Sequence, residues 1–380
     1  MKRMLVTCEY PPITGGQGSY LKNLWSDLDP KENLLLIPSS CRGTRSAESR
    51  TRFAYMRVST SERWLPRFAR IFVVLWSMLQ WGVTFRPREI HAGQLIAGGS
   101  CALLVRLVLR IPYCVYCHGA DVLEFSRYRL ARPIIRTIFA QSRHIITNST
   151  YTAGCIRERY NPSVPISIIA PSVDERFFTY DTGVLDSLCR RYPLEGKKVI
   201  LTVGRLVERK GHDVVIRSLP KILAGHPDVH YMIAGDGPCR GVLEALVNQC
   251  GVRNAVTFCG RIASDELPSL YHLASVFVMV PRAIERKGDI EGFGIVYIEA
   301  NASGLPVVGS RSGGVPDAVE HETNGLLVND PTDVKEVAAT LDRILSDEDL
   351  RLKLAGNAVA WARKFSREAQ KKAWFDAVRT

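Results

Sequence analysis

The sequence predicts two α/β domains in tandem, each a parallel sheet covered by helices. Three observations carry this expectation. The chain has 380 residues, more than one ordinary domain of about 100–200 residues holds. Short β-rich runs alternate with amphipathic segments along its length, as expected of strands joined by crossover helices. The alternation then breaks between Pro171 and Gly196 and starts again. Apolar residues make up 46% of the chain and charged residues 23%, a globular composition sufficient for two cores.

In the first half the expected strands are Arg3–Thr7, Leu34–Ile37, Glu89–His91, Tyr113–Cys117, His144–Asn148 and Ile166–Ala170. Helices are expected between them at Ser19–Asp27, Leu65–Trp81, Ser100–Arg110, Arg132–Ala140 and Thr150–Tyr160. Pro171 to Gly196, with two prolines and mixed polarity, reads as the linker. The second set of strands is Lys198–Val203, Tyr231–Ala234, Val256–Cys259, Val276–Val280, Pro306–Val308 and Leu326–Val328. Three helices, Asp333–Ser346, Asp347–Phe365 and Ser366–Val378, end the chain. The expected domains are therefore 1–171 and 172–365. No short-period repeat or low-complexity tract interrupts them.

Several function classes are disfavoured at once. No run reaches the roughly 20 apolar residues of a membrane-spanning helix. The start, MKRMLVTCEYPP, has no cleavage pattern and reads as a first strand, not a signal peptide. Ten cysteines without secretory context are expected as reduced thiols, which places the protein in the cytoplasm. Net charge is +12, and residues 1–171 carry 23 Lys and Arg against 10 Asp and Glu. All of the excess lies there. A basic half-molecule implies an anionic partner such as a phospholipid surface, a polyprenyl phosphate or nucleic acid. No nucleic-acid motif accompanies the charge, so a nucleic acid is not expected. Peripheral attachment at the inner face of the cell membrane is kept open.

The strongest chemical signal is Asp289 to Ala300, DIEGFGIVYIEA, followed by a short strand and Ser310 to Asp317, SRSGGVPD. If a helix begins near Phe293 or Gly294, the amides of Gly294, Ile295 and Val296 form an anion site at its start. Eight residues at 100° each leave Glu291 and Glu299 about 80° apart, so both can line one ligand. A carboxylate beyond a phosphate-binding helix start suits ribose hydroxyls. Gly204 to Gly211, GRLVERKG, puts Arg205 and Lys210 between a strand and a helix, where open α/β sheets bind ligands. Two cations there suit a diphosphate. Arg209 reads as a solvent-facing bystander. The loop from Pro11 to Ser19, PPITGGQGS, offers glycines for close backbone approach, without GxGxxG spacing.

Taken in order, these segments resemble one family, the retaining GT-B glycosyltransferases of bacterial mannosyl, glucosyl and N-acetylglucosaminyl transfer (glycosyltransferase family 4 type). The matching features are PPxxGGxG at 11–18, His118–Gly119, GRLVxRKG at 204–211, the E-x7-E pair Glu291 and Glu299, and the SGG loop at 312–314. The IEGFGIVYIEA and RLVxRKGxD runs look most like phosphatidylinositol mannosyltransferases that use GDP-mannose. The resemblance implies two Rossmann-like α/β/α domains facing a central cleft, acceptor in the first and nucleotide sugar in the second. The terminal helix, about 366–380, would pack back on the first domain. It implies Arg205 and Lys210 on the diphosphate, Glu291 on hexose hydroxyls, Glu299 on the ribose, and His118 near the reacting face of the hexose. Gly15 and Gly16 would lie against the donor. Gly292, Phe293, Gly294, Ile295 and Val296 would surround the distal phosphate, and Arg261 and Ile262 would meet the base. No metal or other cofactor is implied. The donor would be GDP-mannose first and a UDP-hexose next, and the acceptor a glycan or lipid-linked sugar. Many members carry Glu where Asp317 stands, which leaves that position open.

Rival signals are weaker. Cys114–Val115–Tyr116–Cys117–His118 has the form of a haem c attachment site, yet an export context is missing and the residues fit a buried strand. Asp27-Leu28-Asp29 imitates a metal-binding D-x-D but falls at a helix end. The stretch from Trp64 to Trp81 reads either as an interfacial helix on anionic lipid or as a core helix. A nucleotide-sugar epimerase of the same fold and a non-catalytic sugar-nucleotide-binding protein are the competing functions.

Overall fold

The computed structural model describes residues 1–11, 15–41, 52–56, 67–192 and 194–379. It divides into two compact units, Met1–Pro171 with Gln370–Thr380, and Ser172–Ala369.

In the first unit, strands β1 (Arg3–Val6), β2 (Asn33–Pro38), β3 (Arg52–Met56), β4 (Glu89–Ala92), β5 (Tyr113–Cys117), β6 (His144–Thr147) and β7 (Ile166–Ile168) form one sheet in the order β3-β2-β1-β4-β5-β6-β7. Every pairing is parallel. Helices cover both faces, so the central strands are buried throughout and read as near-continuous apolar runs. Alternation assigns Met4 and Val6 to one core and Leu5 to the other. The helices Arg67–Phe85, Ala97–Leu109, Ala131–Gln141 and Thr150–Tyr160 fill the first core. Helix Gly16–Trp25, with Trp374 and Val378 of the terminal helix, fills the second.

The second unit holds β8 (Lys198–Val203), β9 (Val229–Ala234), β10 (Val256–Gly260), β11 (Val276–Val278), β12 (Val307–Ser310) and β13 (Gly325–Val328). Their order is β10-β9-β8-β11-β12-β13, again wholly parallel. Counted within the unit, this is the 3-2-1-4-5-6 arrangement of dinucleotide-binding folds. Strand order reverses between β8 and β11, and the ends of those two strands carry the chemistry described below.

Several expectations need correction. The segment 171–196 is no linker. Ser172 already belongs to the second unit, Phe177 is buried and packs edge-on against Tyr271, and Thr182–Arg191 is a helix capped by Asp181. Its mixed polarity is that of a surface helix burying Leu188. Strand β3 and the short helix Ala120–Ser126 were not expected. The first is a five-residue edge strand with an arginine at its start, and the second is too brief for a periodic pattern.

The stretch 64–81 divides along its faces. Trp64 to Pro66 lie outside the described residues. In the helix Arg67–Phe85, Val74 and Met78 are buried, while Phe72 and Trp76 are each 71% exposed. Neither a pure core helix nor a uniformly apolar one describes it. Among the described residues no helix is long and apolar enough to cross a membrane.

The two rival motifs resolve by geometry. Cys114 and Cys117 lie three apart on β5 and so face opposite cores, which removes the haem pattern. Asp27 takes positive φ, and Asp29 accepts from the Lys31 amide at 2.9 Å; the D-L-D run is a helix-terminating turn.

Candidate active site

The site of the second unit is built where β8 and β11 end. After β8, Gly204–Val207 leads into a 3-10 turn, Glu208–Lys210, and then into helix His212–Gly225. The turn needs Gly211, whose φ is +75°; a Cβ there would sit 2.2 Å from the Val280 carbonyl oxygen. That close approach holds the loop after β8 against the loop after β11. Arg282 reinforces it with two bonds of 3.0 Å to Asp213, and its amide donates to the Arg209 carbonyl.

The loops therefore bring opposite charges together. Lys210 Nζ lies 2.7 Å from Glu291 Oε2, and Arg209 donates to the same oxygen. Arg209 Nε also donates to Asp289 Oδ1 at 2.8 Å. Arg209 is thus a member of the network and not a solvent-facing bystander, since its guanidinium bridges two carboxylates. Burial alone would raise the Glu291 carboxyl, but Lys210 and Arg209 outweigh it and hold it below the usual range. Lys210 is lowered, chiefly by burial and secondarily by Arg209, against the pull of Glu291. Removing one partner from a buried pair of this kind costs about 3–5 kcal/mol.

Arg205 differs from both. It is exposed and forms no ion pair among the described residues. An exposed guanidinium beside a satisfied ion network is available to an incoming anion.

Glu291 is itself fixed by the SGG loop. The Gly314 amide donates to the Glu291 carbonyl at 3.0 Å. Gly313, at φ +59°, leaves 2.3 Å between a would-be Cβ and that same oxygen, so a side chain there would push the loop away.

Helix Ile295–Ala302 begins just beyond, with Gly294 as N-cap at φ +91°. No side chain caps it, so its first amides are open to an anion. Ile295 and Val296 are half-buried, as is Gly292, whereas Phe293 turns inward and packs on Phe365 at 5.5 Å. Only the backbone of Phe293 is left for a ligand. Glu299 does not share the Glu291 network. Its Oε2 accepts from the Tyr271 hydroxyl at 3.0 Å, and burial raises its carboxyl to about 7. Next along, the loops after β8, β9 and β10 are joined by backbone bonds from Gly204 to Ala234 and from Gly235 to Gly260. Arg261, exposed, and Ile262, half-buried, follow on that edge.

Sequence reasoning also passed over His212. Both ring nitrogens are buried without partners, and burial with the Lys210 charge lowers it to about 4. It is a neutral imidazole at the start of the helix after β8. Its position after the GRLVERKG loop was the available signal.

In the first unit, His118 follows β5. Its Nε2 donates to the Gly93 carbonyl at 3.0 Å. Its amide donates to Asp121 Oδ1, and the buried Oδ2 of Asp121 has no partner. Burial raises Glu9, opposed by His118 and supported by Asp121. A Cβ on Gly15 would stand 3.3 Å from Glu9 Oε2, and Gly16 opens the helix Gly16–Trp25. Gly15, Glu9, His118 and Asp121 are thus neighbours, and neither carboxylate was foreseen. Pro12, Ile13 and Thr14 of that loop lie outside the described residues.

Among the described residues, one group has metal-ligand proximity: Glu89, His91 and Cys114, all buried. Its chemistry is already closed. Glu89 accepts from Arg143 at 3.1 Å, from His91 at 3.0 Å and from Cys114, with Arg3 at 3.9 Å. Burial would raise Glu89, but His91 and Arg143 outweigh it and hold the carboxyl at about 2. Two arginines at one carboxylate oppose a further cation.

Cationic side chains and an uncapped helix start at the switch point of a 3-2-1-4-5-6 parallel sheet are what nucleotide-binding α/β folds present to a ligand. Two family models match, "Glycosyl transferases group 1" over residues 190–361 and "Glycosyltransferase Family 4" over 14–177. The chain belongs to the family 4 glycosyltransferases and is a hexosyltransferase. It is 30% identical over 368 residues to the GDP-mannose-dependent alpha-(1-6)-phosphatidylinositol monomannoside mannosyltransferase of Mycobacterium tuberculosis, covering 94% of this chain and 92% of that one. The protein of the same description from Mycolicibacterium smegmatis is 30% identical over 351 residues, covering 90% and 89%. Among solved structures, the Anabaena protein HepE in complex with UDP superposes with a TM-score of 0.83 over all of both chains at 18% identity. The sucrose-phosphate synthase of Thermosynechococcus elongatus gives 0.84 at 21% identity, over 100% of this chain and 98% of that one.

Proposed function

We propose that the protein transfers mannose from GDP-mannose to a lipid-linked acceptor, with retention at the anomeric carbon and without a catalytic metal. The observation that carries this reading is the Lys210–Glu291 pair at 2.7 Å in the loop that also carries the exposed Arg205, which has no ion pair among the described residues. As the glycosidic bond breaks, charge develops on the departing diphosphate and on an oxocarbenium-like sugar. Donors fixed in advance where charge develops are usually the largest catalytic contribution. Lys210, held by Glu291, and Arg205, free to turn, would meet the diphosphate. The open amides of Ile295 and Val296 would take its distal end.

Both cations that engage Glu291 use Oε2, so Oε1 is the proposed acceptor of a hexose hydroxyl. Glu299 would take the ribose hydroxyls and Arg261 and Ile262 the base. His118 would contribute from the first unit to handling of the sugar. The mannose and GDP assignments rest on the Mycobacterium and Mycolicibacterium relatives, whose names give GDP-mannose as their donor and a phosphatidylinositol mannoside as their acceptor. The net charge of the first half and the exposed Phe72 and Trp76 favour an acceptor met at an anionic membrane surface.

The test is transfer from GDP-mannose to a phosphatidylinositol mannoside extract with EDTA present, the product anomer being read by NMR. An α-linked mannoside formed at full rate in EDTA is the expected result. Strict dependence on added divalent cation, an inverted anomer, or accumulation of an epimerised nucleotide sugar would each contradict the reading.

A further inference from the structure

The first unit also contains a cavity of about 390 Å³ lined by Ser126, Arg132, Pro133, Arg136, Arg159 and Tyr160. Its volume lies in the lower range of small-molecule pockets, about 300–1,000 Å³. No carboxylate lines it.

We propose that this cavity is a phosphate-ester binding site, separate from the donor site, built by Arg132 and Arg136 of helix Ala131–Gln141 with Arg159 and Tyr160 at the end of helix Thr150–Tyr160. The three arginines form no ion pair among the described residues, and Arg132 alone is anchored, through Nε on the Ser126 carbonyl at 2.7 Å. Arg143, Arg209 and Arg282 each close on a carboxylate, whereas the cavity lining offers Arg132, Arg136 and Arg159 none. The second observation is Tyr160. The residue is only 7% exposed, and its hydroxyl is buried with no hydrogen-bond partner. A buried hydroxyl without a partner is unfavourable unless something fills it. Burial raises the Tyr160 phenol, and Arg132, Arg159 and Arg136 all pull against that rise, as expected if all three guanidinium groups face the same space.

The charged groups lining the cavity are all guanidinium groups, which selects an acceptor-rich group. Guanidinium groups match phosphate oxygens in bidentate pairs, and a tetrahedral ester can use several donors at once. The volume leaves room for a small group beyond the phosphate. The phosphate group itself has two sources, a soluble ester or a lipid head group.

The inference does not depend on which sugar the second unit transfers. Its test uses the full chain, titrated calorimetrically with glycerol 3-phosphate at constant ionic strength, and in a second arm with vesicles of phosphatidylcholine with or without phosphatidylglycerol. Arg136→Gln, Arg159→Gln and Tyr160→Phe are compared with wild type, and GDP binding in every variant controls for folding. Saturable binding in either arm, weakened at least tenfold by each arginine variant and severalfold by Tyr160→Phe with GDP binding intact, supports the site. Binding confined to glycerol 3-phosphate identifies a soluble ester, and binding confined to phosphatidylglycerol vesicles a lipid head group. Failure of both ligands to saturate, or equal binding by wild type and all three variants, would overturn it.

Discussion

Glu89 in the first unit and Glu291 in the second are both enclosed carboxylates engaged by two cations, yet they do opposite things. Glu89 opens β4, at the end of the sheet remote from the strand tips, and its side chain is 0% exposed. His91, Cys114 and Arg143 all donate to it, and Arg3 Nε stands off at 3.9 Å. His91 donates Nε2–H to Glu89 and accepts at Nδ1 from the Tyr116 hydroxyl, which in turn accepts from Trp374 Nε1 at 2.7 Å. That chain anchors the terminal helix under the first sheet. Glu291 lies beyond the tip of β11, keeps 12% exposure, and stands beside Arg205, an arginine without an ion pair, and a helix start without a cap. Buried charge marks both places. What separates structure from chemistry is the position along the strands and the presence of donors with nothing to bind.

The comparison is broken most forcefully by attacking the structural network. Trp374→Ala removes a fully buried indole and its bond to Tyr116, and Glu89→Gln leaves Arg143 facing a neutral amide. Each is expected to cost about 3–5 kcal/mol in urea unfolding, with GDP affinity of the folded fraction within twofold of wild type. A large loss of GDP affinity in either would mean that the two networks are not separate in role.

Arg205→Ala should give the reverse pattern. As an exposed residue it should alter stability by no more than about 0.5 kcal/mol, while transfer slows by about 10²-fold, equivalent to about 3 kcal/mol of transition-state stabilisation. Steady-state rates and thermal unfolding on the same preparation check both halves.

The smallest effect sharpens the distinction between the two glutamates of the E-x7-E pair. Burial lifts the Glu299 carboxyl to about 7, above its ordinary value of 4.5. The folded state therefore holds a proton that the unfolded state has lost between those values. Its contribution to stability is full below about 4.5 and declines as pH rises to about 7. If ribose hydroxyls donate to the carboxylate, nucleotide binding releases that proton, so affinity rises with pH up to about 7 and then levels. In Glu299→Gln this part of the pH dependence should vanish. Calorimetry of GDP binding from pH 5.5 to 8.5 reads it, and an unchanged profile in the variant would remove Glu299 from the nucleotide contacts.

Much of this was legible in the sequence because local pattern and function coincide at strand tips. The runs Tyr113–Cys117 and Lys198–Val203 are strands with those very bounds, since buried parallel strands are unbroken apolar stretches. Glycines at 211, 294 and 313 mark loops where a side chain cannot fit, and those loops carry Lys210, the helix start and Glu291. Arg209 was misread because spacing within a loop does not say which way a side chain turns; the answer depends on Asp289 and Glu291, about 80 residues away. Glu9 was missed for the same reason, being far from His118 in sequence and brought near it only by the fold, whereas Asp121 is a local partner three residues on that accepts from the His118 amide. That the Phe293 ring packs on Phe365 was not legible either, since its partner lies far along the chain.

The central claim is that the crevice around Lys210, Glu291 and Arg205 grips a diphosphate. Isothermal titration of guanosine, GMP and GDP into wild type and Arg205→Ala tests it most directly. The account predicts that GDP binds at least tenfold more tightly than GMP to the wild type and that this margin largely disappears in the variant. Equal affinity for GMP and GDP in the wild type, or an undiminished margin without the guanidinium, would contradict it.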